Sequence, residues 1–93
     1  MILPEPIEHI LTIYTRTNCI NCEKLQGYLL KTNRVKFRFI DCDDYVNDEE
    51  TKKQFLNQIN YYAGRKVRTF PMVFVDKRFI GGYYETLEYF EDF

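Results

Sequence analysis

Cys19-Ile20-Asn21-Cys22 stands where a strand-like run stops and a helix-like run starts, and this junction limits the folds open to the chain. Ahead of it, Ile10-Leu11-Thr12-Ile13-Tyr14-Thr15 is β-branched, aromatic and free of Gly and Pro, the composition of a strand. Behind it, Glu23 to Lys31 carries Leu25, Tyr28 and Leu29 at i, i+3 and i+4, one stripe of a helix. Cys19 is therefore expected at or just before a helix N-terminus, where unpaired backbone N–H groups and the dipole favour an anion. Arg16 adds a positive charge three residues earlier. Such surroundings lower a cysteine pKa from about 8.5 to roughly 3.5–7.5. Cys19 is the expected reactive thiol.

The 93 residues suit one domain, 1–93, with residues 1–9 as an N-terminal arm. Hydrophobic residues at 45% and aromatics at 17% supply a small core without a disulfide framework or a structural metal. A net charge of −1 offers no field for a polyanion, so no nucleic-acid partner is expected. No apolar run nears the ~20 residues of a membrane span. The stretch Met1 to Glu8, with two prolines and two acids, lacks the basic start of a signal peptide. A cytoplasmic location without membrane attachment is the expectation. Of three cysteines only two are closely spaced, which fits redox or metal use of that pair better than a secreted disulfide scaffold. Zinc is the weaker option, because one C-x-x-C and one histidine, His9, fall short of four tetrahedral ligands.

Further along, Val35 to Asp41 reads as a second strand, with Val35, Phe37, Phe39 and Asp41 on one face and Lys36, Arg38 and Ile40 on the other. Cys42-Asp43-Asp44 makes an acidic turn, and Asn47 with Glu50 resembles a capping box that opens a second helix. Phe55, Ile59 and Tyr62 form the inward stripe of that helix, and Gly64 marks its end. A basic loop, Arg65 to Arg68, leads into a short strand, Met72 to Val75. Asp76-Lys77 turns the chain into Arg78-Phe79-Ile80, a hairpin. Gly81-Gly82 breaks it, and Thr86 to Phe93 forms a last helix with Leu87 and Phe90 inward. The order β-α-β-α-β-β-α predicts an α/β fold. Crossover helices make the first two strands parallel and the hairpin adds an antiparallel edge, giving a four-stranded mixed sheet flanked by helices.

From Ile10 to Phe90 the chain resembles a glutaredoxin of the thioredoxin-like fold, on four motifs in family order. They are Ile13-Tyr14-Thr15-Arg16 with Cys19-x-x-Cys22; Arg68-Thr69-Phe70-Pro71; Val73-Phe74-Val75; and Phe79-Ile80-Gly81-Gly82. Three departures stand out. Ile20-Asn21 replaces the family's commonest Pro-Tyr between the cysteines. Tyr84 takes the place of an acid two positions after the Gly-Gly pair, with Glu85 next. The loop from Gly64 to Thr69 is longer than usual.

The resemblance implies a glutathione-dependent thiol–disulfide oxidoreductase that reduces protein disulfides and glutathione mixed disulfides. Cys19 would be the nucleophile and Cys22 the resolving thiol. No bound cofactor is expected; glutathione is the co-substrate, and disulfide-containing or glutathionylated proteins are the partners of a monomer. The family's Phe70-Pro71 bond would be cis, leaving the Phe70 backbone free to pair with a substrate backbone; the plainer reading of Pro71 is an edge-strand proline. Arg16 and Arg68 are candidates for the glycine-end carboxylate of glutathione, unless they are ordinary solvated charges. Gln54 or Gln58 could add a donor, and Thr69 belongs to the same segment. The backbone at Gly82 and Tyr83 would take the γ-glutamyl end, with Tyr84 and Glu85 beside it. Tyr84 cannot meet the ligand's α-amino group as an acid does, nor cap the last helix; Glu85 is placed to offset either loss. Two other readings compete: a carrier of a [2Fe–2S] cluster held with glutathione, and a redoxin reduced by thioredoxin reductase. Cys42 is expected as a semi-buried small residue. Tyr83, Tyr84, Tyr89, Phe90 and Phe93 crowd the C-terminal stretch with room for an exposed patch, while Glu85, Glu88, Glu91 and Asp92 read as a solvated face.

Overall fold

A computed structural model of the chain describes residues 3–32 and 35–91. Its elements run β1 (Leu11–Thr15), α1 (Ile20–Thr32), β2 (Phe37–Asp41), α2 (Glu49–Ala63), β3 (Met72–Val75), β4 (Arg78–Gly81) and α3 (Tyr83–Glu91), with a single 3-10 turn at Asp43–Tyr45. The sheet order is β2-β1-β3-β4. β1 pairs parallel with β2 and antiparallel with β3, and β3 with β4 closes the hairpin. This is the expected thioredoxin-like mixed sheet.

The central strands are apolar on both sides because both sides are covered. Leu11, Ile13 and Val73 point into a core shared with Leu25 and Leu29 of α1 and Phe90 of α3. Tyr14, Met72 and Phe74 point the other way, into a core with Phe55 and Ile59 of α2. The alternation follows from the two-residue period of a strand. Burying that continuous stripe on two faces is the main drive for the fold.

Several local expectations are corrected. The cap of α2 is Asp48 rather than Asn47: Asp48 is extended (φ −145°, ψ 169°) and its carboxylate accepts from the Thr51 N–H at 2.9 Å. Asn47 instead accepts from the Thr51 hydroxyl, and no Asn47–Glu50 box forms. α3 begins at Tyr83 rather than Thr86, while α1 begins at Ile20, directly after Cys19, as expected. In α3, Thr86 is buried while Leu87 is only half-buried. Residues 92–93, and with them Asp92 and Phe93 as the last residues of that helix, lie outside the described residues. In β2 the buried residue is Ile40, which joins the α2-side core, whereas Phe37 and Phe39 are half-buried on the other side.

The expected C-cap is present: Gly64 adopts φ 72° and its N–H donates to Asn60 O. Asp76 and Lys77 both have positive φ, the geometry of a two-residue hairpin turn. The N-terminal arm is part of the body. Leu3 is fully buried in the α2-side core, Tyr14 Oη donates to Pro4 O at 2.6 Å, and Arg38 donates to Glu5 O. Among the described residues no helix is long and apolar enough to cross a membrane.

Candidate active site

β1 ends at Thr15, a three-residue loop turns the chain, and Cys19 opens α1. The Glu23 N–H donates to Cys19 O at 3.1 Å, which makes Cys19 the N-cap. Its Sγ accepts from the Cys22 N–H at 3.1 Å, the bond an N-cap oxygen makes in other helices. Cys19 is partly exposed and Cys22 is 5% exposed. The two are bonded as a disulfide with Cα atoms 5.2 Å apart, so the structure represents the oxidised form. An N–H directed at a cysteine sulfur favours thiolate over thiol, because the bond is stronger to the charged form.

The loop ahead of Cys19 is held from the 3-10 turn that follows β2. Asp43 accepts from both the N–H and the hydroxyl of Thr17. These bonds, with Arg16 nearby, hold the Asp43 carboxyl below its usual range. Residues 17 and 43 lie far apart in the chain, and reading Cys42-Asp43-Asp44 as a turn gave no sign that its acid would anchor the active-site loop.

Register brings the proline segment to the same end of the sheet. Tyr14 pairs with Met72, so Phe70-Pro71 lies beside the loop that leads to Cys19. The Phe70-Pro71 bond is cis. Phe70 stacks on Phe55 of α2 at 5.7 Å, and the Arg16 guanidinium lies 5.9 Å above the Phe70 ring. Arg16 is itself exposed and lies on the rim beside Phe70, its cation over an aromatic face.

The glycine pair completes that rim. A Cβ at Gly82 would sit 3.4 Å from Pro71 O, so the Gly-Gly turn lies directly against the proline segment. Gly81 has φ 129°, and a Cβ there would meet the Glu85 side chain at 2.6 Å, so only glycine fits. Glu85 Oε1 accepts from the Gly82 N–H at 2.7 Å and caps α3. Thr86 Oγ1 adds a bond to Gly82 O. Glu85 therefore supplies the cap that Tyr84 cannot, and Tyr84 is exposed with its ring edge-on to Tyr83.

Arg68 and Thr69 are exposed just ahead of Phe70. Arg68 shares a groove with Gln54, whereas Gln58 lines a separate hollow with Glu5 and Tyr61. Cys42 is fully buried, and burial together with the Asp41 carboxylate pushes its thiol up to about 12. It is inert at neutral pH. No group of three or more His, Cys, Asp or Glu side chains gathers as a metal site among the described residues.

A family model described as Glutaredoxin matches residues 11–80. No curated protein matches the chain. Among solved structures, glutaredoxin 1 from Francisella tularensis, complexed with cacodylate, is 23% identical with a TM-score of 0.71, covering 88% of this chain and 92% of that one. The holo form of glutaredoxin C1 from Populus tremula x tremuloides is 20% identical, with a TM-score of 0.66 over 88% and 74% of the two chains. A buckwheat glutaredoxin–glutathione complex is 23% identical, with a TM-score of 0.65 over 88% and 68%. At these identities the structural likeness speaks to the fold, and the family match spans both cysteines and Pro71.

Proposed function

The chain belongs to the glutaredoxin family, and from that premise we propose that it is a thiol–disulfide oxidoreductase that draws its electrons from glutathione. The observation that carries the chemistry is the position of Cys19: partly exposed, at a helix N-terminus, its sulfur on the Cys22 N–H, with Cys22 sheltered behind it. An attacking thiol must be ionised and accessible, and a resolving thiol must be close.

On a glutathionylated protein, the Cys19 thiolate attacks the glutathione sulfur. A Cys19–glutathione disulfide forms, and the protein thiolate leaves with the bonding pair. A second glutathione thiolate then attacks the glutathione sulfur of that disulfide, releasing oxidised glutathione and restoring Cys19. On a protein disulfide, the Cys19 thiolate attacks one sulfur, the substrate S–S bond breaks with the other sulfur leaving as a thiolate, and Cys22 then attacks the Cys19 sulfur of the mixed disulfide. The substrate thiol leaves, and the Cys19–Cys22 disulfide seen here is the product, which two glutathiones reduce. No resident cofactor enters these steps.

Glutathione dependence is supported by the cationic rim of Arg16 and Arg68 and by the backbone of Tyr83 and Tyr84 at the start of α3. Gly82 lends shape rather than its N–H, because Glu85 already occupies that donor. Thr69, Phe70 and Pro71 offer backbone for the tripeptide, and the similar buckwheat protein is a glutaredoxin–glutathione complex. The test is turnover of a mixed disulfide between glutathione and a small thiol, coupled to NADPH through glutathione reductase. Cys19→Ser is expected to abolish turnover and Cys22→Ser to retain it. A silent wild type whose disulfide is instead reduced by thioredoxin reductase would overturn the glutathione assignment.

A further inference from the structure

A groove of about 1030 Å³ lies between α2 and the loop that leads to the proline segment, and Arg68 in its lining stands two residues ahead of Phe70. Its shape is pinned. The Asn60 side chain accepts from the Val67 N–H at 2.7 Å, and Val67 is buried in the α2-side core, so loop and helix are fixed relative to each other. Arg65 is turned away, its guanidinium 4.7 Å above the Phe79 ring.

The lining combines three kinds of group. Lys52, Lys53, Lys66 and Arg68 are exposed, and none forms an ion pair with a described residue. Gln54 and Asn57 present amides, which can serve both donors and acceptors of an extended backbone. Leu56 and Val67 give an apolar floor. The two acids of the lining, Glu49 and Glu50, sit in the first turn of α2. The net balance of the groove is positive on a chain whose net charge is −1.

We propose that this groove is the docking site for an extended acidic segment that flanks the target cysteine of a protein substrate. The inference rests on the Cys19 chemistry proposed above and adds the substrate class. A segment entering beside Phe70 and continuing along α2 places its carboxylates against four unpaired cations while its own cysteine lies at Cys19. Charges arranged in this way act on encounter more than on final affinity, so selectivity appears in the rate of attack and weakens with salt.

The experiment uses the pre-reduced chain in single turnover without glutathione. Peptides of equal length carry one cysteine as a mixed disulfide with thionitrobenzoate, flanked by aspartates, asparagines or lysines. Cys19 attacks the peptide sulfur, a Cys19–peptide disulfide forms, and thionitrobenzoate leaves with the electron pair and is read by its colour. The aspartate peptide is expected to react about tenfold faster than the lysine peptide at low salt, the lower end of electrostatic steering. Lys52→Gln/Lys53→Gln/Lys66→Gln should erase that preference and leave the mixed disulfide of 2-mercaptoethanol and thionitrobenzoate unaffected. Equal rates in the wild type, a preference that survives in the triple variant, or a triple variant equally slow on the small disulfide would each overturn the groove. A failed glutathione assignment would show only in the glutathione reductase assay.

Discussion

Tyr84 sits in the first turn of α3 with its side chain in solvent. Of the two roles an acid would fill there, the cap is taken by Glu85 through the Gly82 N–H. For the pairing with a ligand amino group, Tyr84 itself offers no carboxylate, and one oxygen of Glu85 is already engaged. Tyr84→Asp is therefore expected to lower the KM for glutathione by about 1.5- to 5-fold, the yield of an exposed ion pair of roughly 0.2–1 kcal/mol. Tyr84→Asn keeps the shape without the charge and should leave KM unchanged. Steady-state kinetics of the three proteins decides it; an unchanged KM in Tyr84→Asp would show that no amino group meets this position. The cysteines, Pro71 and the Gly-Gly turn could be singled out from sequence because each does its work through local backbone chemistry. Asp43 could not, because its partner Thr17 meets it only once β1 and β2 are paired.

At the scale of elements, helix interiors and the start of α1 at Cys19 were legible, whereas the starts of α2 and α3 were not. The stripes Leu25–Leu29 and Phe55–Ile59 are buried as their periodicity requires, and Gly64 and Asp76-Lys77 turn where residue chemistry says they should. The start of α2 was misread because Asn47 and Asp48 are both good caps, and only the backbone decides which of them is extended. Asp48 is that residue, and its carboxyl is held below the usual range, first by the Thr51 N–H. A carboxylate with a depressed folded-state pKa contributes stability that is in place above its unfolded value, about 3.9, and is lost as pH falls through the folded value. Asp48→Ala is thus expected to lower the melting temperature at pH 7, with the difference from wild type shrinking below about pH 3.9. Asn47→Ala, which loses only a bond to the Thr51 hydroxyl, should have the smaller effect. Thermal unfolding followed by circular dichroism at pH 7 and in acid distinguishes the two; equal losses would return the cap to Asn47.

At the scale of the molecule, the arm is where sequence reading stopped short. Residues 1–9 read only as an N-terminal arm, yet the described part is tied into the body at five places. Tyr14 and Tyr62 hydroxyls donate to Pro4 O and Leu3 O, and Arg38 donates to Glu5 O. The Ile7 N–H meets Thr12 Oγ1, and the His9 N–H meets the Asp76 carboxylate. Each of these partners is remote in sequence or belongs to another strand, so no local pattern announces them. Leu3 fills the core between the sheet and α2, a site with 0% exposure in which truncation leaves a cavity. Leu3→Ala should cost about 2–5 kcal/mol, a fall of more than about 10 °C in Tm for a domain of this size. Tyr14→Phe, which removes one hydrogen bond and keeps the ring edge-on to Phe74, should cost only about 0.5–1.5 kcal/mol. None of the five ties involves Cys19, Phe70-Pro71 or the Gly-Gly turn, so both variants should reduce disulfides at the wild-type rate where they are folded. Urea denaturation with parallel single-turnover kinetics tests both halves: an unchanged midpoint in Leu3→Ala would make the arm a tail, and a slowed reaction in a folded variant would make it part of the site.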